Sequence, residues 1–245
     1  QAGDGLPPVL CAIGNHDFDG GLDAKGQIQR FLKGTGNSSE TIWFDTWISG
    51  YHFVFLGGEA AGLHADLSNA QLAWLEETLA KDRVEGRPTF LFLHQGLMDT
   101  VAGTFKYQNW HGVKQSAQLR RILRQYPEVV LFSGHSHWTM ESAHTVKPAD
   151  SSLPSVVSTA SCAYLWDDSC IATNVGIVGS EGYYIYLYEN CLIVRGRSFD
   201  RGEWIGSAQF ILPLPTSGGT ETESATETAT EPVTEPVTGT EPDSS

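Results

Sequence analysis

The sequence has no stretch approaching the ~18 consecutive apolar residues of a membrane span, and its first residues lack the basic, apolar and small-residue progression of a signal peptide. Cysteine is scarce. Cys11, Cys162, Cys170 and Cys191 are too few to scaffold 245 residues, and no CxxC spacing points to a zinc or redox site. Cys162 and Cys170 either close a short loop or, like the others, stay free and buried. Basic residues are also few: 15 Lys and Arg against 29 Asp and Glu give a net charge of −14. Without a basic patch, such a surface repels nucleic acid, which excludes a nucleic-acid scaffold as the expected partner.

Part of that charge is segregated. Residues 216–245 hold Glu221, Glu223, Glu227, Glu231, Glu235, Glu241 and Asp243 and no Lys or Arg, and Val233 and Val237 are their only large apolar side chains. A segment of this composition cannot offset the entropy of ordering itself and is expected to stay extended and solvated. Glu-Pro-Val-Thr recurs at 231–234 and 235–238. The text resembles the Thr/Pro/Glu linkers of secreted bacterial surface proteins, which implies a secreted or cell-surface location and an anchor beyond the linker. An untargeted disordered terminus is the plainer alternative. Residues 1–215 are ordinary globular sequence, long enough to bury roughly 70% of the unfolded chain's surface.

Within that part, apolar β-rich runs alternate with amphipathic stretches. Strands are predicted at 8–13, 41–48, 51–56, 88–93 and 129–132, and helices at 25–33, from Ser68 to about Arg83, and at 116–126. Ser68 followed by Gln71 reads as a capping box, with Leu72, Leu75 and Leu79 on one stripe. Beyond 138 the pattern is strands only, at 139–146, 155–159, 183–188, 192–197 and 204–212, with Glu189-Asn190 as a hairpin tip. Strand-helix units that feed an antiparallel-rich sheet predict helix layered on sheet.

Three of these strands run into metal-binding chemistry. The first enters Gly14-Asn15-His16-Asp17, the second His94, and the third Gly134-His135-Ser136-His137. Strand carboxyl ends are where sites assemble in open α/β sheets, and imidazole with amide oxygen suits Zn, Fe or Mn. The glycines are expected to make the sharp turns at the rim. GNHD, a lone His and GHSH, in that order, resemble the second half of the signature of calcineurin-like metallophosphoesterases. Ser68, Gln71, Trp74, Leu75 and Leu79 also resemble a helix of that family's extracellular phosphatases.

The resemblance implies an αββα sandwich, two mixed β-sheets packed face to face with helices outside. It implies hydrolysis of a phosphate mono- or diester by water activated between two metal ions, Mn, Fe or Zn. Asn15, His94 and His135 would ligate one metal and His137 the other. His16 would stand beside the scissile phosphate, and Asp17 would shape its turn. In the long loop 95–114, His111 and Tyr107 are candidate substrate contacts, although a loop packed by its own aromatics reads equally well. His52, His64 and His144 read as satisfied core residues, and Trp166, Asp167 and Asp168 receive no role.

The departures from the family matter as much. Its signature opens with D-x-H and then G-D, and no D-x-H occurs here. Gly3-Asp4 spells the second pair but stands too close to Asn15 for the helix and strand that normally intervene. The domain is therefore expected to lack its first strand-helix units, and its donor set of one amide and three imidazoles carries no charge against two cations. A non-catalytic surface module that keeps the fold without a complete metal centre is the alternative function. A lactamase-like metallohydrolase would need HxHxDH, which is absent.

Overall fold

The computed structural model describes residues 7–215 apart from 82, 85 and 109, so Gly3-Asp4 and the acidic tail lie outside the described residues. A 3-10 turn at Asn15–Phe18 leads to α1 (Ala24–Gly34), whose Asp23 cap accepts a hydrogen bond from Gly26 N at 2.8 Å. A hairpin follows, β1 (Phe44–Ile48) and β2 (Tyr51–Phe55). Ser49 and Gly50 both take left-handed backbone there, φ 52° and 79°, the twist that a two-residue hairpin needs.

Next comes α2 (Asn69–Lys81), where the predicted capping box is half formed. Ser68 Oγ accepts from Gln71 N at 3.1 Å, but the Gln71 side chain turns into the sheet instead of back. There it accepts from Gly57 N and donates to Gly57 O and Glu59 Oε1, and Glu59 takes over the Ser68 N–H at 2.9 Å. The remaining elements are β3 (Thr89–Phe92), a 3-10 turn at Lys106–Gln108, α3 (Ser116–Leu123), β4 (Val129–Ser133), β5 (Val146–Lys147) and β6 (Ser155–Ser158). The one-turn α4 (Cys170–Thr173) precedes β7 (Glu181–Leu187), β8 (Cys191–Ser198) and β9 (Glu203–Pro213).

Among the described residues, nine strands form two sheets. The larger has the order β1-β2-β3-β4-β6-β5, with β2, β3, β4 and β6 parallel and the two outer strands antiparallel. The smaller, β7-β8-β9, is purely antiparallel rather than mixed, because its short connections at 188–190 and 199–202 can join only antiparallel neighbours. On one face of the larger sheet, Leu72, Leu75 and Leu79 of α2 and Leu119, Ile122 and Leu123 of α3 pack on Val54, Leu91, Leu131 and Val156. Each such side chain contributes roughly 1.5–3 kcal/mol by leaving water. On the other face, Leu192, Val194 and Leu212 of the small sheet meet Phe90, Val130, Phe132 and Val157. Tyr184, Tyr186 and Ile211 on the outside of the small sheet are exposed, so the described residues build three layers, helix on sheet on sheet.

Three readings of the sequence need correction. Residues 8–13 form no strand, and Val9 is 81% exposed, since an apolar run becomes a strand only where a neighbour offers a ladder. The strand predicted over 139–146 shrinks to β5, because Thr139 and Ser142 are used in a turn and Met140 N is held by Glu181. Finally, all four cysteines are free, and of these only Cys170 is buried while Cys162 is exposed.

Candidate metal centre

Parallel strands deliver their carboxyl ends to one rim, and β3 and β4 carry His94 and His135 there. Gly134 N donates to His94 O at 3.0 Å and so ties the two strand ends together. Asn15 arrives from the 3-10 turn, whose shape is set by Asp17: its carboxylate accepts from Gly14 N at 2.8 Å, and its own N–H donates back to Gly14 O. Gly14 is required by close approach. A Cβ on it would stand 3.0 Å from the His94 ring.

Asn15 Oδ1 is where these pieces meet. It accepts from His94 Nε2 and from His135 Nδ1, both at 3.0 Å, across 79 and 120 residues of chain. The two imidazoles stand edge to face with centroids 5.2 Å apart. Burial, reinforced by His137, pulls the His94 imidazole down to about 4. Burial together with His94 and the other nearby imidazoles pulls His135 down to about 3. Both rings are therefore neutral at pH 7, the state in which imidazole ligates a metal.

The sharp turn at this rim is made by the histidines rather than by the glycine expected to make it. His135 and His137 take φ of 66° and 60°, whereas Gly134 does not enter the left-handed region. Ser136 N closes on Gly134 O at 2.7 Å, a three-residue turn centred on His135. Non-glycine residues held this way cost of order 1–3 kcal/mol each and cluster at functional sites.

Around Asn15 and His135 opens a cavity of about 210 Å³, which His16, His111, His137 and Tyr164 also line. His137 donates from Nδ1 to Tyr164 O at 3.1 Å, leaving Nε2 as its lone-pair nitrogen, and burial lowers its pKa. His16 is exposed at the rim, with Nδ1 2.7 Å from Asp19 Oδ2. His111 contacts His64, its Nδ1 3.3 Å from His64 Nε2, and burial followed by the His64 neighbour lowers its pKa.

Tyr107 does not belong here. It is 69% exposed and lines a separate cavity of about 420 Å³ with Asp168 and Glu181. His52 is buried and bonded to Asp45, as a core histidine should be, but His64 and His144 are exposed. His64 and the Tyr164 carbonyl are the parts that sequence reasoning missed. A backbone oxygen leaves no residue-type signal, and the separation of 47 positions between His64 and His111 carries no spacing rule.

No family model matches this chain, and no curated protein does.

Whether the residues fit a cation is decided by their donors. Adjacent ligands on one ion with bonds of ~2.1 Å lie about 3.0–3.4 Å apart. The Asn15 oxygen stands at that spacing from both imidazole nitrogens, so each pair is spaced as one cation would require once its imidazole nitrogen gives up the proton it now donates. For a second cation the described residues offer His137 alone. Among the described residues no group of three or more His, Cys, Asp or Glu is placed to hold a metal, and the third donor here is an amide.

Proposed function

We propose that this chain carries most of a metal-dependent phosphoesterase of the calcineurin-like type, acting on a phosphate mono- or diester. The observation behind this reading is the convergence of His94 Nε2 and His135 Nδ1 on Asn15 Oδ1 at the strand-end rim. The mixed sheet packed against a second sheet is compatible with the αββα sandwich of that family. In the intact protein, two metal ions among Mn, Fe and Zn would be held by Asn15, His94 and His135 on one side and by His137 with groups outside this chain on the other. When bound, the pair lowers the pKa of water and places positive charge against phosphoryl oxygens.

The residues of the chain do the rest. Their burial keeps His94 and His135 unprotonated and available. The Tyr164 carbonyl holds the proton of His137 on Nδ1 and turns Nε2 toward ligation. Asp19 stands 2.7 Å from His16 Nδ1 and would stabilise the imidazolium, the form whose Nε2–H could be given to a departing alkoxide. His111 borders the same cavity and is positioned to touch a bound ester. The Thr/Pro/Glu text of residues 216–245 supports a secreted or surface-attached enzyme.

The neutral donor set favours a second reading, a surface module without catalysis. Calorimetric titration of the protein with Zn²⁺ and Mn²⁺, alongside hydrolysis of p-nitrophenyl phosphate and its diester, separates the two. Cation binding that disappears in His94→Ala and His135→Ala, with slow turnover that rises in a polypeptide extended upstream, is the expected result. Absence of cation binding, or turnover indifferent to both substitutions, would overturn the proposal.

A further inference from the structure

The cavity around Asn15 and His135 has a wall that the candidate metal ligands leave unused, made of Leu63, Trp110 and the ring of Tyr164. Leu63 is 52% and Tyr164 45% exposed, so both offer apolar surface at the mouth. The aromatic parts are held in place. The Tyr164 ring lies 4.4 Å from that of His137, and a Cβ on Gly176 would stand 2.8 Å from its Cδ2. Leu165 N donates to Ile177 O and Ile177 N to Leu165 O, both at 2.8 Å, which pins the two chain segments that grip the ring. Trp110 packs on Trp166 and Trp138, with centroids 5.0 and 5.7 Å away. A wall that is already rigid loses little entropy when a ligand meets it.

Charge decides what such a wall can receive. Among the described residues that line the cavity there is no Lys, Arg, Asp or Glu. His16 is the one lining group with an acidic partner, and Asp19 already offsets its charge. A leaving group with its own phosphate, carboxylate or ammonium would lose hydration here without a charged side chain free to pair with it. An apolar ring incurs no such cost and gains contact with two aromatic side chains and a leucine. Size points the same way. An apolar cavity of ~150 Å³ takes up one benzene ring, so about 210 Å³ suits a single ring beside a phosphoryl group.

We infer that the substrate is the phosphate ester of an uncharged alcohol bearing an aromatic ring, and that the ring lies against Tyr164, Trp110 and Leu63. The inference rests on the phosphoesterase reading above and adds its leaving group. In the reaction the water oxygen bonds to phosphorus as the bond from phosphorus to the alcohol oxygen breaks. That oxygen keeps the bonding pair and takes up a proton, so the ring departs as a neutral alcohol. Tyr164 serves twice. Its carbonyl holds His137 by Nδ1, and its side chain selects what is attached to the phosphate.

The test has a metal-free arm and a metal-loaded arm. Chelator-treated protein is titrated with 2-phenylethanol, and nuclear Overhauser contacts from its ring to the Leu63 methyls are sought by NMR. These contacts are expected, and they should vanish in Tyr164→Ala and return in Tyr164→Phe, since alanine removes the ring but keeps the carbonyl that holds His137. Thermal melts verify that the variants fold. Leu63→Asp, at a half-exposed position, removes another part of the wall and should weaken the alcohol about tenfold by chemical-shift titration. With Zn²⁺ present, calorimetry compares 3-phenylpropylphosphonate with 3-carboxypropylphosphonate, which exchanges the ring for a carboxylate. The ring form is expected to bind about tenfold tighter or more. Absence of contacts, contacts indifferent to Tyr164→Ala, an alcohol affinity indifferent to Leu63→Asp, or equal affinity of the two phosphonates would overturn the ring-bearing leaving group. A phosphonate affinity that Zn²⁺ does not change, with the ring contacts intact, would instead overturn the metal-site reading.

Discussion

Gly14 lies against the face of His94 so closely that one added methyl would stand 3.0 Å from the ring. The turn that brings in Asn15 and the strand end that brings in His94 are thus fitted to each other through a missing side chain. Gly14→Ala should push the two apart, lower stability by about 1–3 kcal/mol, as overpacking does, and weaken Zn²⁺ binding more than it lowers the melting temperature. Paired calorimetry and thermal unfolding measure both. An unchanged Zn²⁺ affinity would show that the turn and His94 are not coupled.

Asn15→Asp tests the charge deficit directly. The new carboxylate would sit between His94 Nε2 and His135 Nδ1, where the amide oxygen now accepts from both. Divalent cation affinity should rise at least tenfold, about 1.4 kcal/mol. Isothermal titration of the two proteins in the same buffer gives the comparison, and equal affinities would mean that charge is not what limits binding.

The depressed histidines also make stability depend on pH. Both rings have folded pKa values, about 4 for His94 and about 3 for His135, below the ordinary 6.5. In that interval the unfolded chain binds more protons than the folded one, so acid favours unfolding. In chelator-treated protein their contribution is complete above pH 6.5 and is lost as pH falls toward 4 and 3, at up to about 1.4 kcal/mol per pH unit for each ring. Urea unfolding at pH 7, 6, 5 and 4.5 should show this slope, and His94→Gln with His135→Gln should flatten it.

Gln71 is fully buried and makes three side-chain hydrogen bonds to Gly57 and Glu59. Gln71→Ala leaves the Gly57 N–H and C=O without these partners and should cost about 2–3 kcal/mol, read from the urea midpoint at constant slope. Gln71→Glu keeps the acceptor for Gly57 N but loses the donor and faces Glu59, and is expected to fall at least as far.

Much of the scaffold was legible because periodicity reports burial. The leucine stripe of α2 and the apolar runs of β3 and β4 are where the pattern put them. The meeting of His94 and His135 was legible too, because parallel strand ends share one rim, whereas Asn15 reaches them from a 3-10 turn with no strand before it. Residues 8–13 misled, since a run of apolar side chains says nothing about whether a partner strand exists. The half-formed cap at Ser68 was hidden for a related reason: Gln71 prefers a backbone partner brought from Gly57, 14 positions away. Tyr107 was grouped with His111 by sharing a loop, but the short 3-10 turn at Lys106–Gln108 sends it to another cavity.

The left-handed backbone at His135 and His137 sets two selection pressures against each other. Glycine or asparagine would relax both positions, so a library of variants screened for heat resistance alone should drift toward them there first. The same drift would erase the imidazoles. Retention of histidine at both sites under such a screen would mean that the strain had been relieved elsewhere.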